Sequence, residues 1–580
     1  MSLFDELNRR KVIRVFIAYL AVAWLLVQIA ETLLPAYGYG DAAIRLLVAG
    51  LAVGLVPALV LAWVYDWSPK GLRKTAAASG DPAEVRRQQK QSAGLMVILV
   101  AVSAVGAFYA VKGVETPGLG DNTVAVLPFH TLGADRPDVF TDGMHVGVIT
   151  RLSGVQAIDV ISRTSVLRYT GIYKPLPEIA MELGAAWVLR ADVQQFDGNV
   201  LVSAQLADAR NDRQVWAQEY RRALTASNLF DIQADISRQI IGALQATLQP
   251  DEDVRIAQVP TENLDAYRLF REGQSQLDKR TAESVQAALG RFEAALEIDP
   301  DFALAWAGIA DASVLAYSWA FDVRDEVLVR ADEAISRALE LDGDLPNAYL
   351  ARSSMHYIRR DLPSALRDAD RAIELRPSYA QAFVWRGYYY ALLGDITPGH
   401  ENTKMAVNLN PLAPEAIGNL AASYASLGLI EEAFAEAERA RALAPDWFNL
   451  RLIDSIVFRA AGQHERAVEA LEGTSIPWIG AGAEALLAVN LIALGEEERA
   501  RAMLPALEET GDLFAFALVH AALGSLDQAY EIMGEIEVWG DWPSISAHNE
   551  SADILNPGGN DPRYEDLLRR INLSWGVEHD

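Results

Sequence analysis

Eight histidines are the first residues to test for chemistry: His130, His145, His356, His400, His464, His520, His548 and His579. No two stand within four residues of each other. Two histidines one helical turn apart are what a helix-borne zinc site needs, so no metal ligand set is assigned. The chain has no cysteine, which excludes disulfides, thiol nucleophiles and cysteine-based zinc sites. It also has no GxxxxGKS/T phosphate loop, no GxSxG turn and no DxDxDG calcium loop. Gly38-Tyr39-Gly40 and Gly118-Leu119-Gly120 lack the third glycine and the following helix of a dinucleotide site, so they read as turns. Asp142-Gly143 could be half of a catalytic constellation. An Asp at a helix start equally serves as a cap and complements the helix dipole. Ser162-Arg163-Thr164 could hold an anion, and equally reads as a strand-to-loop turn. His145 is the most tempting lone histidine, and its substitution is expected to leave the fold nearly unaltered. No catalytic residue, cofactor or metal is assigned, and the chain is expected not to be an enzyme.

Recognition by a surface remains, and the elements that would build one follow a period. Pro377, Pro411 and Pro445 stand 34 residues apart, with Gly343 one period earlier. Small residues keep the same step: Ser353, Gly387, Ala421 and Ser455; Ala365, Gly399, Ala433 and Ala467; Ala338, Ala372, Ala406 and Ala440. This period predicts a helix–turn–helix unit repeated into a solenoid. Small residues let two helices approach closely, and proline ends the second helix because it has no N–H to donate. The stretch from Ala380 to Pro411 carries Phe383, Gly387, Tyr390, Gly399, Ala406 and Pro411 at fixed offsets. Through these residues the chain resembles the tetratricopeptide repeat family, well from Asn263 to Leu471 and less beyond. The expectation is an all-α solenoid over 260–580, degenerate after about 471. The resemblance implies that the first helix of each unit lines a concave groove for a protein or peptide. In that register Asn347, Ser354 and Tyr357 face the groove in one unit, and Gln381, Val384 and Tyr388 in the next. Asn449, Leu452 and Arg459 follow two units later. Mixed aromatic and amide side chains suit an extended peptide or a helix.

Upstream the pattern changes to α+β over residues 123–250, after a Gly- and Pro-bearing linker at 112–122. The run VAVLPF predicts a buried strand ending at its proline. A helix is expected over 138–152 with Phe140, Met144, Val148 and Ile149 on one face. A second strand at 157–161, a short helix at 176–183 and a hairpin across Asp197-Gly198-Asn199 follow. A third antiparallel strand at 213–221 and an amphipathic helix at 226–248 complete it. Together with VFTDGM, VISRTSVLRYTG and VSAQLADARNDRQVWAQEY, this order resembles the TolB amino-terminal-like domain of bacterial envelope proteins. His145-Val146-Gly147 stands where that family usually carries acidic residues, so any role of such residues is not transferred.

Three apolar segments, 15–34, 46–65 and 93–111, are each long enough to span a bilayer. Basic residues flank the first (Arg9, Arg10, Lys11, Arg14) and fill the 66–92 loop (Lys70, Arg73, Lys74, Arg86, Arg87, Lys90). The positive-inside rule then puts the N-terminus in the cytoplasm and everything from about 112 onward outside, in the periplasm of a bacterial inner-membrane protein. The segment FDELNRRKVIRVFIAYLAVAWLL resembles a membrane module of bacterial signalling proteins. The net charge of −28 falls on the rest of the chain, since residues 1–120 carry +4. Such an acidic body does not suit nucleic acid, whose phosphates need clustered Lys and Arg. The expected architecture is multidomain: transmembrane helices in 1–111, an α+β domain, and a C-terminal solenoid. The expected function is a non-enzymatic, membrane-anchored interaction platform. The alternative is a transmembrane signalling receptor whose output surface is the 66–92 loop, a stretch that serves equally as a topology determinant binding anionic lipid.

Overall fold

The computed structural model describes residues 120–133, 139–319, 321–447, 449–473, 481–540 and 551–576, two short strands at 65–74 and a few positions between 19 and 51. The chain divides into two compact units, Met1–Gly118 and Leu119–Asp580.

In the first unit Tyr19, Val22, Ala23, Trp24, Leu26 and Gln28 are helical, and the Tyr19 hydroxyl donates to the Leu51 carbonyl at 2.6 Å. The remainder of the three apolar segments lies outside the described residues. Among the described residues no helix is long and apolar enough to cross a membrane. Strands β1 (Tyr65–Ser68) and β2 (Gly71–Lys74) pair antiparallel, Ser68 against Gly71. The 66–92 stretch between the second and third apolar segments thus begins in a hairpin.

The second unit opens with a sheet. Strand β3 (Gly120–Val126) starts inside the expected linker, because Gly120 already pairs with Ala185. It runs parallel to β5 (Asp159–Val160) and β6 (Ala185–Phe196), and β4 (His130–Thr131) also pairs with β6. Strands β6, β7 (Asn199–Asp208) and β8 (Arg213–Ala223) are antiparallel neighbours, giving the order β5-β3-β6-β7-β8. Phe196 pairs with Asn199, so Asp197 and Gly198 alone make the turn, with φ of 46° and 72°. Two left-handed residues give the primed turn whose twist matches the strands. Along β7, Val200, Val202, Ala204 and Leu206 are buried in alternation with half-buried neighbours, the period-2 pattern of a one-sided sheet.

The Val139–Ser153 and Ala226–Ala243 helices pack on this sheet and on each other. They approach closely at Gly147, where a β-carbon would lie 2.2 Å from the Gln233 amide nitrogen. The Gln233 amide is needed there: it donates to the Gly143 carbonyl at 3.1 Å and accepts from Arg151 at 2.7 Å. Arg151 also donates to the Ile256 and Gln258 carbonyls, both at 2.9 Å, and so fixes the stretch leading into the solenoid. The Val139–Ser153 helix is buried well beyond the single expected face, at Thr141, Gly143, His145 and Gly147 as well. Each of these meets a different neighbour: Thr141 the Thr131 hydroxyl, His145 the Val126 carbonyl, Gly147 the Gln233 amide, and Gly143 the first solenoid helix, Leu264–Leu277, whose Tyr267 hydroxyl donates to its carbonyl at 3.1 Å. One continuous apolar core accordingly runs from Val124 of the sheet to Met355 of the solenoid.

The solenoid stacks helix pairs. Leu264–Leu277 pairs with Ala282–Ile298, Ala303–Ser318 with Asp325–Leu341, and Pro346–Ile358 with Leu362–Leu375. Ala380–Leu392 pairs with Ile396–Leu409, Pro414–Ser426 with Ile430–Leu443, and Leu450–Ala460 with His464–Leu471. Pairs continue past 471 as Gly482–Ala493 with Glu497–Thr510 and Leu513–Ala522 with Leu526–Gly534, followed by the closing Pro562–Ser574 helix. Pro377 and Pro411 each fall two residues beyond a second helix, at Leu375 and Leu409. Ala338, Ala372, Ala406 and Ala440 are all fully buried where helices cross. At Gly387 a β-carbon would sit 3.2 Å from the Gly399 carbonyl, Asn402 Cβ and Thr403 Oγ1. Gly387→Leu is therefore expected to lose about 1–3 kcal/mol by overpacking. The loss should spread to adjacent units through shared interfaces. A urea midpoint equal to that of the unsubstituted chain would count against this helix crossing.

Candidate functional site

Two successive first helices of the solenoid hold a cluster of four aromatic side chains. Tyr357 ends the Pro346–Ile358 helix, and Trp385, Tyr388 and Tyr389 lie on Ala380–Leu392. The Tyr357 ring is stacked on Tyr389 at 5.6 Å and stands edge-on to Tyr388 at 5.8 Å, with Trp385 at 5.9 Å. Offset and edge-on arrangements like these suit the ring quadrupoles. The Tyr357 and Tyr388 hydroxyls are 3.5 Å apart. Ser353 Oγ donates to the Ala365 carbonyl at 2.7 Å and lies 3.2 Å from the Tyr389 hydroxyl. Burial pushes both the Tyr388 and the Tyr389 hydroxyls well above the usual phenol range, so they stay protonated and act only in hydrogen bonding.

A fifth ring closes the cluster. Trp575, just past the closing helix, is fully buried and stacks on Tyr357 at 5.6 Å with planes 16° apart. Its carbonyl accepts from the Leu362 amide at 3.3 Å, and the Arg360 guanidinium lies 4.2 Å above its ring. Arg360 has φ of 64°. A left-handed backbone costs a residue with a β-carbon about 1–2 kcal/mol.

The expected groove residues are only partly brought together. Tyr357 and Tyr388 meet, but as members of a packed cluster rather than as open anchors. Ser354 is buried and back-bonds to the Leu350 carbonyl at 3.2 Å, so it does not face an open groove. Asn347 accepts from Arg376 at 2.9 Å and reaches the Tyr379 hydroxyl at 3.4 Å, with the Arg376 guanidinium over the Tyr379 ring at 4.6 Å. Gln381 is half-buried on the same helix as Tyr388, and Val384 packs beside Phe383 and Ala406. Asn449 is the N-cap residue of Leu450–Ala460, two units further on, and Leu452 is buried. The register missed Asp311. It stands eight residues into the Ala303–Ser318 helix, as Ser354 and Tyr388 do in theirs, and is exposed.

The other candidates prove to be joints between sheet and solenoid. Asp142 lies in the first turn of its helix, as a dipole-complementing residue should, and also pairs with Arg163 at 2.9 Å and Arg271 at 3.0 Å. Arg163 continues to Asp278 at 2.7 Å. Burial alone would raise the Asp142 carboxyl, but the two guanidinium groups outweigh it and hold it below the usual range. Ser162-Arg163-Thr164 therefore docks on the solenoid rather than presenting an anion site. The Ser162 amide donates to the Leu409 carbonyl at 2.7 Å, and Ser165 bonds Asn410 at 2.6 Å. One unit earlier Ser378 accepts from the Val160 amide at 3.0 Å and donates to the Ile158 carbonyl at 3.2 Å. One unit later Arg168 donates to the Leu443 carbonyl at 3.2 Å. Three successive turns of the 34-residue period thus seat one segment of the sheet.

His145 is also structural, contrary to the expectation that it could be changed without consequence. It is buried, donates Nε2–H to the Val126 carbonyl at 2.9 Å, and faces the Phe129 ring at 5.4 Å. A carboxylate in its place would confront that carbonyl inside the core. Among the described residues no group of three or more His, Asp or Glu side chains could hold a metal ion.

No family model matches the chain. It is 28% identical over 242 residues to "Putative adenylate cyclase 3" of Rhizobium meliloti (strain 1021), a match that covers 41% of this chain and 41% of that protein. The chain thus spans about two fifths of the length of that curated relative. Among solved structures it is similar to a tetratricopeptide repeat protein from Parabacteroides merdae ATCC 43184, at 18% identity and a TM-score of 0.32, covering 45% of this chain and 99% of that one. It is also similar to a thermophilic repeat protein of Thermus thermophilus, at 24% identity and a TM-score of 0.28, covering 34% and 98%.

Proposed function

We propose that the chain is a non-enzymatic interaction platform whose inner solenoid face receives a protein or peptide. The observation that carries this reading is the row Asp311, Asn347 and Gln381, which sets exposed or half-buried polar side chains on three successive first helices. Unburied polar side chains repeated on successive helices offer hydrogen bonds to an extended peptide or a helix. Membrane anchoring, an extracytoplasmic position and a TolB-like character for the sheet belong to the same proposal. They are supported by the basic residues around the apolar segments and by the quoted resemblance. A photo-crosslinking residue at Gln381, in cells, is expected to capture a defined protein of the envelope. The same residue at the exposed outer position Glu374 is expected to capture none. Equal capture at both positions would sink the platform reading, and a cytoplasmic protein on Gln381 would sink the extracytoplasmic one.

A second reading is a regulatory part of a signalling protein. The stretch shared with a protein named as a putative adenylate cyclase favours it. In that reading the sheet and solenoid sense or dock, and the output lies elsewhere.

A further inference from the structure

The repeat register breaks one of its own rules at the rim of the aromatic cluster. Gly394, Gly428 and Gly462 follow the first helices of three successive units with φ of 79°, 72° and 70°. The same place one period earlier is Arg360, at φ of 64°. Glycine takes this conformation freely and arginine does not, so something other than the turn accounts for the side chain. That side chain lies over Trp575. The indole therefore meets both the Arg360 guanidinium and the Tyr357 ring, and the carbonyl of the same residue accepts from the Leu362 amide. Leu567, Ile571 and Trp575 are all buried and recur every four residues, which puts them on one stripe of the closing helix. Arg569 and Asp566 are exposed on its other side.

We propose that the pocket formed by Tyr357, Trp385, Tyr388, Tyr389 and Arg360 is a recognition site for a helix that ends in tryptophan. The chain's own Pro562–Ser574 helix with Trp575 is its resident ligand. The proposal rests on the platform reading and names its ligand: a helix that ends in a tryptophan whose indole meets Tyr357 and Arg360 and whose carbonyl accepts from the Leu362 amide. Ring stacking holds such an indole, and a guanidinium over it adds cation–π attraction.

The test uses the full chain and a labelled peptide of residues 560–580. In the unsubstituted chain the tethered helix has the advantage of effective concentration and excludes the peptide. In the full chain carrying Ile571→Asp and Trp575→Ala the peptide is expected to bind saturably. Adding Arg360→Gly should weaken that binding at least tenfold without lowering the melting temperature, because glycine suits this turn. In the otherwise unsubstituted chain Arg360→Gly should speed hydrogen exchange of the Leu362 amide at least tenfold. The proposal is overturned by no binding to the double variant, by equal binding to both chains, or by an unchanged Leu362 exchange rate. Unfolding of the double variant also overturns it, since the closing helix would then be an ordinary cap. Peptide binding with no capture at Gln381 would leave this site standing and remove the platform reading alone.

Discussion

Taking the folded chain from pH 7 to pH 4 is expected to cost it about 3 kcal/mol through His145 alone. Burial pushes this imidazole down to about 4 from an ordinary 6.5. The bond to the Val126 carbonyl and the Asp142 carboxylate favour the charged ring, while Arg163 and Arg271 oppose it. The net direction is downward because a buried cation loses hydration that one carbonyl does not replace. The unfolded chain takes up a proton as the pH falls through about 6.5, and the folded chain resists until about 4. Stability from this residue is therefore complete above pH 6.5 and drains away between 6.5 and 4. Urea midpoints measured at several pH values across that window should slope accordingly. His145→Gln retains an N–H donor for the Val126 carbonyl and does not titrate. It should lower the midpoint at pH 7 and flatten the slope. A slope that persists in His145→Gln would show that another group carries it.

The solenoid and the sheet were legible in the sequence because each repeats a local rule. Proline and small residues recur every 34 positions, and a primed turn at Asp197-Gly198 joins two alternating strands. What spacing does not carry is which residues meet across long separations. His145 reads as a lone histidine because its partner, the carbonyl of Val126, is backbone. Asp142 reads as a helix cap because Arg271 belongs to another part of the chain. The register puts Tyr357 and Tyr388 on an inner face, yet Trp575, more than 200 residues further along the chain, stacks on Tyr357. One signal for that pocket was present and passed over: Arg360 in a series otherwise filled by Gly394, Gly428 and Gly462. A residue that breaks a repeat rule where the backbone disfavours it points to a contact the repeat alone does not explain.

The largest mutational loss is expected from Asp142→Ala, about 3–5 kcal/mol. Asp142 is the single carboxylate between two guanidinium groups, Arg163 at 2.9 Å and Arg271 at 3.0 Å. The Arg271 side chain is only 6% exposed, and its Nε is buried without a hydrogen bond, so its charge depends on Asp142. Arg163 would keep Asp278, which is half exposed and a weaker anchor. Removing the carboxylate thus strands one buried cation and loosens a second. It does so where the Val139–Ser153 helix meets the Leu264–Leu277 helix, at the joint between sheet and solenoid. Proteolysis should quicken around residues 257–263 in the variant, since that stretch leads into the Leu264–Leu277 helix that carries Arg271. Replacing both Asp142 and Arg271 by apolar residues of similar volume should recover most of the loss, because no charge is then left unpaired. The acid response separates this group from His145. Its folded pKa lies below the ordinary carboxylate value, so its contribution is intact above about pH 4 and is lost only as the pH falls through that depressed value. An Asp142→Ala loss below about 1 kcal/mol, or no recovery in the double variant, would mean that packing around Gly143 and Gly147, rather than this ion pair, holds the joint.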